Sequence, residues 1–267
     1  MTEIIDIDNN EFANLYLKTW IDIMSNEGTC KTWNNNTNWT ETHLTILYKL
    51  AVELGYCNKD KEKAKKDDYG KTVQQEYYQV DFSLYKHYED SYWNLDYAIE
   101  HENDVYNIYK EGDKKDRTIN KGWFDEFAKL LPLKCRRSRV IIGYDYFYNK
   151  EIEEDSKYTK KGAYTFEDKL AKCSKLLSDD RVKQTVSQSP ILLIIFPSGW
   201  KMKQIVGDEL IEKPLIKIVN FPVVDGILKK EGVDITNEVL DDKMKVQLKE
   251  IYKNIKGGNV ELELSRI

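Results

Sequence analysis

Residues 92 to 103 read YWNLDYAIEHEN, and their alternation is that of a β-strand with Trp93, Leu95, Tyr97 and Ile99 on one apolar face. The polar positions carry three acids, Asp96, Glu100 and Glu102, and His101 stands between the last two in sequence. Carboxylates aligned along a strand repel one another and weaken its intrinsic preference. A chain that keeps them has a partner or a use for them. Just upstream, EYYQVDFSLY (76–85) alternates in the same way, with Tyr78, Val80, Phe82 and Leu84 set against Gln79, Asp81 and Ser83. The polar KHYEDS (86–91) between the two runs predicts a β-hairpin.

Outward from this hairpin the pattern alternates between helix and strand. NNEFANLYLKTWIDIM (9–24) places Phe12, Leu15, Tyr16 and Met24 in helical register. ETHLTILYKLAVELGY (41–56) aligns Leu44, Leu47, Tyr48, Ala51 and Leu54, and Gly55 supplies a stop. Downstream, GWFDEFAKLL (122–131) is a short amphipathic helix ended by Pro132. RVIIGYDYFY (139–148) is a strand, and TFEDKLAKCSKLL (165–177) is a helix opened by a Thr165–Asp168 capping pattern. PILLIIF (190–196) and PLIKIV (214–219) are strands, and DDKMKVQLKEIYKNI (241–255) is a closing amphipathic helix. The predicted order α-α-β-β-α-β-α-β-β-α gives an α/β (α+β) fold with a central mixed sheet and helices on its faces.

Composition narrows the function. The 267 residues are 41% hydrophobic and 33% charged, enough to bury a substantial core as a single domain, 1–267. The net charge of −5 excludes a protein that is basic throughout, so nucleic-acid binding requires locally grouped Lys and Arg. Cys30, Cys57, Cys135 and Cys173 have no paired spacing and read as reduced thiols of a cytoplasmic protein. The start, MTEIIDIDNNEF, has no apolar signal region, and ILLIIF (191–196) is too short to span a bilayer, so no membrane partner is expected. There is no Walker lysine loop, no Gly-rich dinucleotide turn, no HExxH and no nucleophile elbow.

The acids carry the remaining signal. At about 3.3 Å per residue, Glu100 and Glu102 lie roughly 6–7 Å apart on one strand face, close enough to converge on one divalent ion, whereas Asp96 is about 13 Å from Glu100. A turn centred between Glu89 and Asp90 would set Asp81 opposite Ala98, diagonal to Glu100 and on its face; a one-residue slip would send it to the other face. Oxygen-only ligands suit Mg²⁺, with Mn²⁺ as a substitute. The same three acids could instead form the wet face of an antiparallel hairpin, and spacing alone does not separate the two readings.

An acid on one strand, Glu-x-Glu on the next, then an amphipathic helix and a hydrophobic strand resemble the PD-(D/E)XK nuclease superfamily, whose restriction-endonuclease-like core runs α-β-β-β-α-β. The resemblance spans residues 41–148 and extends to about 196, leaving N-terminal helical and C-terminal strand and helix additions. It implies a Mg²⁺-dependent endonuclease hydrolysing phosphodiester bonds in DNA, in restriction or phage defence. Asp81 stands at the family's metal-binding Asp and Glu100 at its next acid. Glu102 replaces the usual strand Lys, as in the Glu-x-Glu variant, and Val80 stands where the motif has Pro. The resemblance makes Asp81, Glu100 and Glu102 the metal ligands. Lys129 on the following helix would be the displaced cation, as in members that carry it there, with Glu126 one turn earlier as an alternative partner for it. A non-catalytic interaction module on a degenerate nuclease-like fold is the competing expectation, and a homodimer is left open. Glu53 is a further acid position in some members. The cluster KCRRSR offers Lys134, Arg136, Arg137 and Arg139 as phosphate contacts. His101, opposite Glu100 by alternation, is expected to pack against the helix layer. Tyr144, Tyr146 and Tyr148 are expected to pack on the sheet.

Overall fold

A strand with no polar position must be covered on both faces. Ile191–Pro197 is such a strand, buried along its whole length, and it occupies the interior of the sheet. The computed structural model describes residues 4–26, 36–56, 73–77, 80–87, 93–102, 122–147, 165–197 and 215–257. In chain order these form α1 (Asn9–Met24), α2 (Asn36–Glu53), β1 (Val73–Tyr77), β2 (Val80–His87), β3 (Trp93–Glu102), α3 (Trp123–Leu130) and β4 (Ser138–Asp145). There follow α4 (Phe166–Ser178), α5 (Asp180–Lys183), β5 (Ile191–Pro197), β6 (Lys217–Phe221), β7 (Val223–Val224), β8 (Ile227–Leu228), β9 (Val233–Asp234), α6 (Thr236–Val239) and α7 (Asp242–Gly257).

Seven strands make one mixed sheet in the order β1-β2-β3-β4-β5-β6-β9, and β7 and β8 form a separate hairpin. The first three strands are an antiparallel meander. β3, β4 and β5 are parallel, joined through α3 and α4, and β6 and β9 return antiparallel. Two successive right-handed crossovers in one direction place both helices on the same face. Accordingly α3 and α4 cover one face, through Trp123, Phe127 and Cys173 over Ala98, Ile141 and Leu193. α1, α2 and α7 cover the other, over Phe82, Ile99, Ile142 and Ile194. Among the described residues no helix is long and apolar enough to cross a membrane.

The expected mixed sheet with flanking helices is present, with three local corrections. The run expected as one strand over 76–85 is two, with Tyr77 paired back onto Val80; this adds β1 as a third strand before β3. The apolar face of α1 is wider than expected: Phe12, Tyr16 and Met24 are buried and Leu15 packs half-buried against the core, and Ala13, Leu17, Trp20 and Ile21 are buried as well. Trp93, Leu95, Tyr97 and Ile99 do not share one face as expected. Tyr97 and Ile99 pack with α1 and α2, whereas Leu95 packs on the α3 side. Trp93's side chain, Tyr78, Tyr148, Cys30 and Cys57 lie outside the described residues; Cys135 and Cys173 are buried free thiols.

A β-bulge causes the split. Near the turn the hairpin pairs His87 with Trp93, Lys86 with Asn94 and Tyr85 with Leu95; beyond it Leu84 pairs with Tyr97, Ser83 with Ala98 and Phe82 with Ile99. Asp96 is the surplus residue, and β3 changes face across it.

Candidate active site

Register decides what faces Glu100. Counting on from the turn pairs without a surplus residue would set Asp81 against Ile99 in place of Glu100. The bulge advances β3 by one, and the continued ladder sets Asp81 against Glu100. The expected face is kept, although the expected opposite residue was Ala98, which pairs with Ser83. The regular alternation of β2 ends here, because Val80 joins the α3-side cluster while Phe82 joins the other. Asp81 terminates the ladder with its side chain: Oδ2 accepts the His101 backbone N–H at 2.8 Å.

Glu100 lies beneath α3 and is 1% exposed. Trp123, Phe127 and Leu130 are buried on one stripe of that helix, which fixes its rotation and turns Lys129 toward the sheet. Lys129 Nζ stands 2.6 Å from Glu100 Oε1 and donates to Glu126 Oε2 at 2.9 Å. Burial raises the Glu100 pKa, the Asp81 charge raises it further, and it reaches about 8 despite Lys129. Burial alone would lower the Lys129 pKa, but its bonds to Glu100 and Glu126 hold it above the ordinary value. Asp81, Glu100 and Lys129 are thus brought together, with Glu126 as a fourth member. Glu102 follows on β3, half-buried. Among the described residues no three His, Cys, Asp or Glu side chains converge as a ready metal cage. Glu53 is exposed on α2.

The expected phosphate-binding cluster is a correction. Arg139 is fully buried, and its guanidinium donates to the carbonyls of Leu130 and Leu131 at the end of α3 and of Ser187 and Ser189 before β5. It caps a helix C-terminus and ties it to two strands. The Arg137 side chain is 6% exposed and pairs with Asp6, with Nε 3.5 Å from Asp96. Arg136 is bidentate on Asp96, at 2.7 and 3.2 Å. Only Lys134 of the four stands exposed without such an internal commitment in view. The cause is Asp96, whose carboxylate is completely buried at the bulge and also accepts Tyr56 Oη at 2.6 Å. A buried carboxylate requires paired, hydrogen-bonded cations, and the adjacent arginines supply them.

Two buried networks escaped the sequence reading. His43 of α2 lies between the hydroxyls of Tyr16 and Tyr144, the latter 2.8 Å from Nε2, and its ring is 4.0 Å from that of His101. His101 therefore packs against the helix layer as expected, and Tyr144 and Tyr146 are buried on the sheet. Asp145, at the end of β4, binds Lys169 at 2.9 Å and accepts from Trp123 Nε1 and the Tyr146 N–H. Lys169 follows directly on the capping pattern at Thr165–Asp168, which was the one available signal. The groove between α5 and the β7–β8 hairpin, lined by Lys183, Val186 and Leu228, contains none of the site residues.

Comparison with family models, curated proteins and solved structures returned no match for this chain.

Proposed function

We propose that this chain is a metal-dependent endonuclease of the PD-(D/E)XK type, hydrolysing phosphodiester bonds in DNA with Mg²⁺, or Mn²⁺ in its place. The observation that carries the reading is the Lys129 ammonium set against buried Glu100, with the Asp81 charge beside it. The order α2-β1-β2-β3-α3-β4 supports it, because it is α-β-β-β-α-β. In that order an acid opens the second strand, an acid pair ends the third and a Lys sits on the helix after it.

The donor chemistry fits a hard divalent cation. Asp81 and Glu100 offer oxygen only, Mg²⁺ commonly takes one or two carboxylates directly, and a positive group already rests against Glu100. Asp81 and Glu100 would hold the ion, with Glu102 as a further ligand or as the group that orients the attacking water. When bound, the ion would neutralise the scissile phosphate and lower the pKa of a water. Lys129 contributes a positive charge near the phosphate oxygens, and Glu126 keeps that charge beside the site. Hydrolysis adds the water oxygen to phosphorus and breaks one P–O ester bond.

The test is nicking of supercoiled plasmid in Mg²⁺ or Mn²⁺. Wild-type protein is expected to nick, and Glu100→Ala to lose activity by at least about 10²-fold while remaining folded. Cleavage unchanged in Glu100→Ala overturns the site. A second reading, a non-catalytic interaction module on a degenerate nuclease-like fold, is favoured by Glu100 being neutralised internally by Lys129 and by the arginines being committed to the fold. Absence of cleavage across DNA and RNA substrates with either ion decides for that reading.

A further inference from the structure

We propose that Lys129 is a built-in competitor for the divalent ion, and that Glu126 is the second seat to which its ammonium retreats when the ion binds. The inference rests on the metal-site reading above and adds a mechanism by which the chain controls occupancy of that site.

The geometry is that of an exchange. Lys129 Nζ bridges two carboxylates, Glu100 Oε1 at 2.6 Å and Glu126 Oε2 at 2.9 Å. The two partners differ in setting: Glu100 is 1% exposed, whereas the Glu126 side chain is 21% and Lys129 34% exposed. Asp81, Glu100 and Glu126 together with one ammonium leave the group negative, so it attracts cations beyond the one it holds. A divalent ion on Glu100 Oε1 would stand at contact distance from the Lys129 ammonium that holds that oxygen, and their mutual repulsion, which rises as the product of the charges, drives the ammonium off it.

The ammonium therefore has to move, and it has a path. Its four-carbon stem is flexible and reaches solvent, whereas the backbone beneath it is pinned by buried Trp123, Phe127 and Leu130. Glu126, one turn earlier on the same helix, stays within reach wherever the stem swings outward. Lys129 then leaves Glu100 but keeps Glu126, and it remains charged beside the ion instead of being lost to bulk water. Without the ion, the same ammonium offsets the cost of a buried carboxylate.

Isothermal titration of the full chain with Mn²⁺ and with Mg²⁺ tests this without reference to cleavage. Lys129→Gln is expected to lower Kd by about tenfold, because the competing charge is gone. Glu126→Gln is expected to raise Kd severalfold in the wild-type background and to have little effect in the Lys129→Gln background, since Glu126 acts through the ammonium. A thermal melt of each variant establishes folding, and Lys129→Met serves where Lys129→Gln does not fold. A Kd unchanged or raised in both Lys129 variants overturns the exchange, as does an equal effect of Glu126→Gln in the two backgrounds. Absence of ion binding in every variant overturns it as well. The endonuclease reading fails separately: the expected affinities with no cleavage of any substrate sink the enzyme and leave the exchange standing, and cleavage with the wrong affinities does the reverse.

Discussion

Asp96 shows how much one residue can decide. Its carboxylate has zero exposure and holds Arg136, Arg137 and Tyr56 together. Asp96→Ala removes the carboxylate shared by Arg136 and Arg137, leaving the nearly buried Arg137 side chain with Asp6. We expect a loss of about 3 kcal/mol, within the usual cost of breaking a buried pair, read as a lower urea midpoint with an unchanged m-value. The alternation of YWNLDYAIEHEN made the acids visible and gave Glu100 its place, but it could not distinguish their fates. Side-chain period reports which positions are polar and says nothing about where the backbone slips. A bulge and a regular strand read alike until the partner strand is known.

At the scale of the element, α3 is positioned by close approach to the sheet. A Cβ added at Gly143 of β4 would lie 3.1 Å from the Trp123 Cβ, a helix atom that cannot swing aside as a side-chain tip would. Gly143→Ala should push α3 outward and cost on the order of 1–3 kcal/mol, as overpacking does. Because the displacement also lengthens the Lys129–Glu100 contact, denaturant unfolding and crystallography of the variant should both register it. An undisturbed helix with full stability would show that the approach is not limiting. The existence and type of the long elements were legible from their periods, and their ends fell within a few residues. The short β7, β8, β9, α5 and α6 were not, because two to four residues carry no period. The break between β1 and β2 was hidden because one alternating run continues across it. KCRRSR announced charge but not its partner: the carboxylate lies some forty residues earlier, and only the parallel β3–β4 pairing brings the two together. Lys129 was legible for the opposite reason, since the amphipathic stripe of a short helix fixes which way its polar residues face.

For the molecule as a whole, the layer between α1, α2 and the sheet is sensitive to acid. Burial holds the His43 pKa well below its ordinary value, and the neighbouring His101 lowers it further. Among the described residues, those facing it include Tyr16 of α1, Tyr144 of β4, His101 of β3 and the Phe196 ring of β5, and none of these four supplies a negative charge to steady an imidazolium. The unfolded chain takes up a proton near pH 6.5 and the folded chain does not, so stability is full above that pH and falls as pH drops below it. The expected slope is about 1.4 kcal/mol per pH unit for this group. His43→Gln, which can still bond both tyrosine hydroxyls but does not titrate, should lessen the slope, the remainder coming from His101, whose pKa burial holds down at about 3. Urea midpoints at pH 7.5, 6 and 5 for the two proteins make the comparison, and parallel profiles would assign the acid sensitivity elsewhere.

The bulge also separates the length of this hairpin from its pairing. β3 carries one residue more than β2 can match, and every β2–β3 pair would survive its excision: Leu84 would still meet Tyr97, and Tyr85 would still meet Leu95. Leu95 and Tyr97 already point to opposite sides, as adjacent residues of an uninterrupted strand do. The pairing with β2 thus has no need of Asp96. The arginines do, through its carboxylate and through its carbonyl, which accepts the Arg137 N–H at 3.0 Å, so the extra residue in this strand serves the stretch that leads into β4 and the charge balance among Asp96, Arg136 and Arg137.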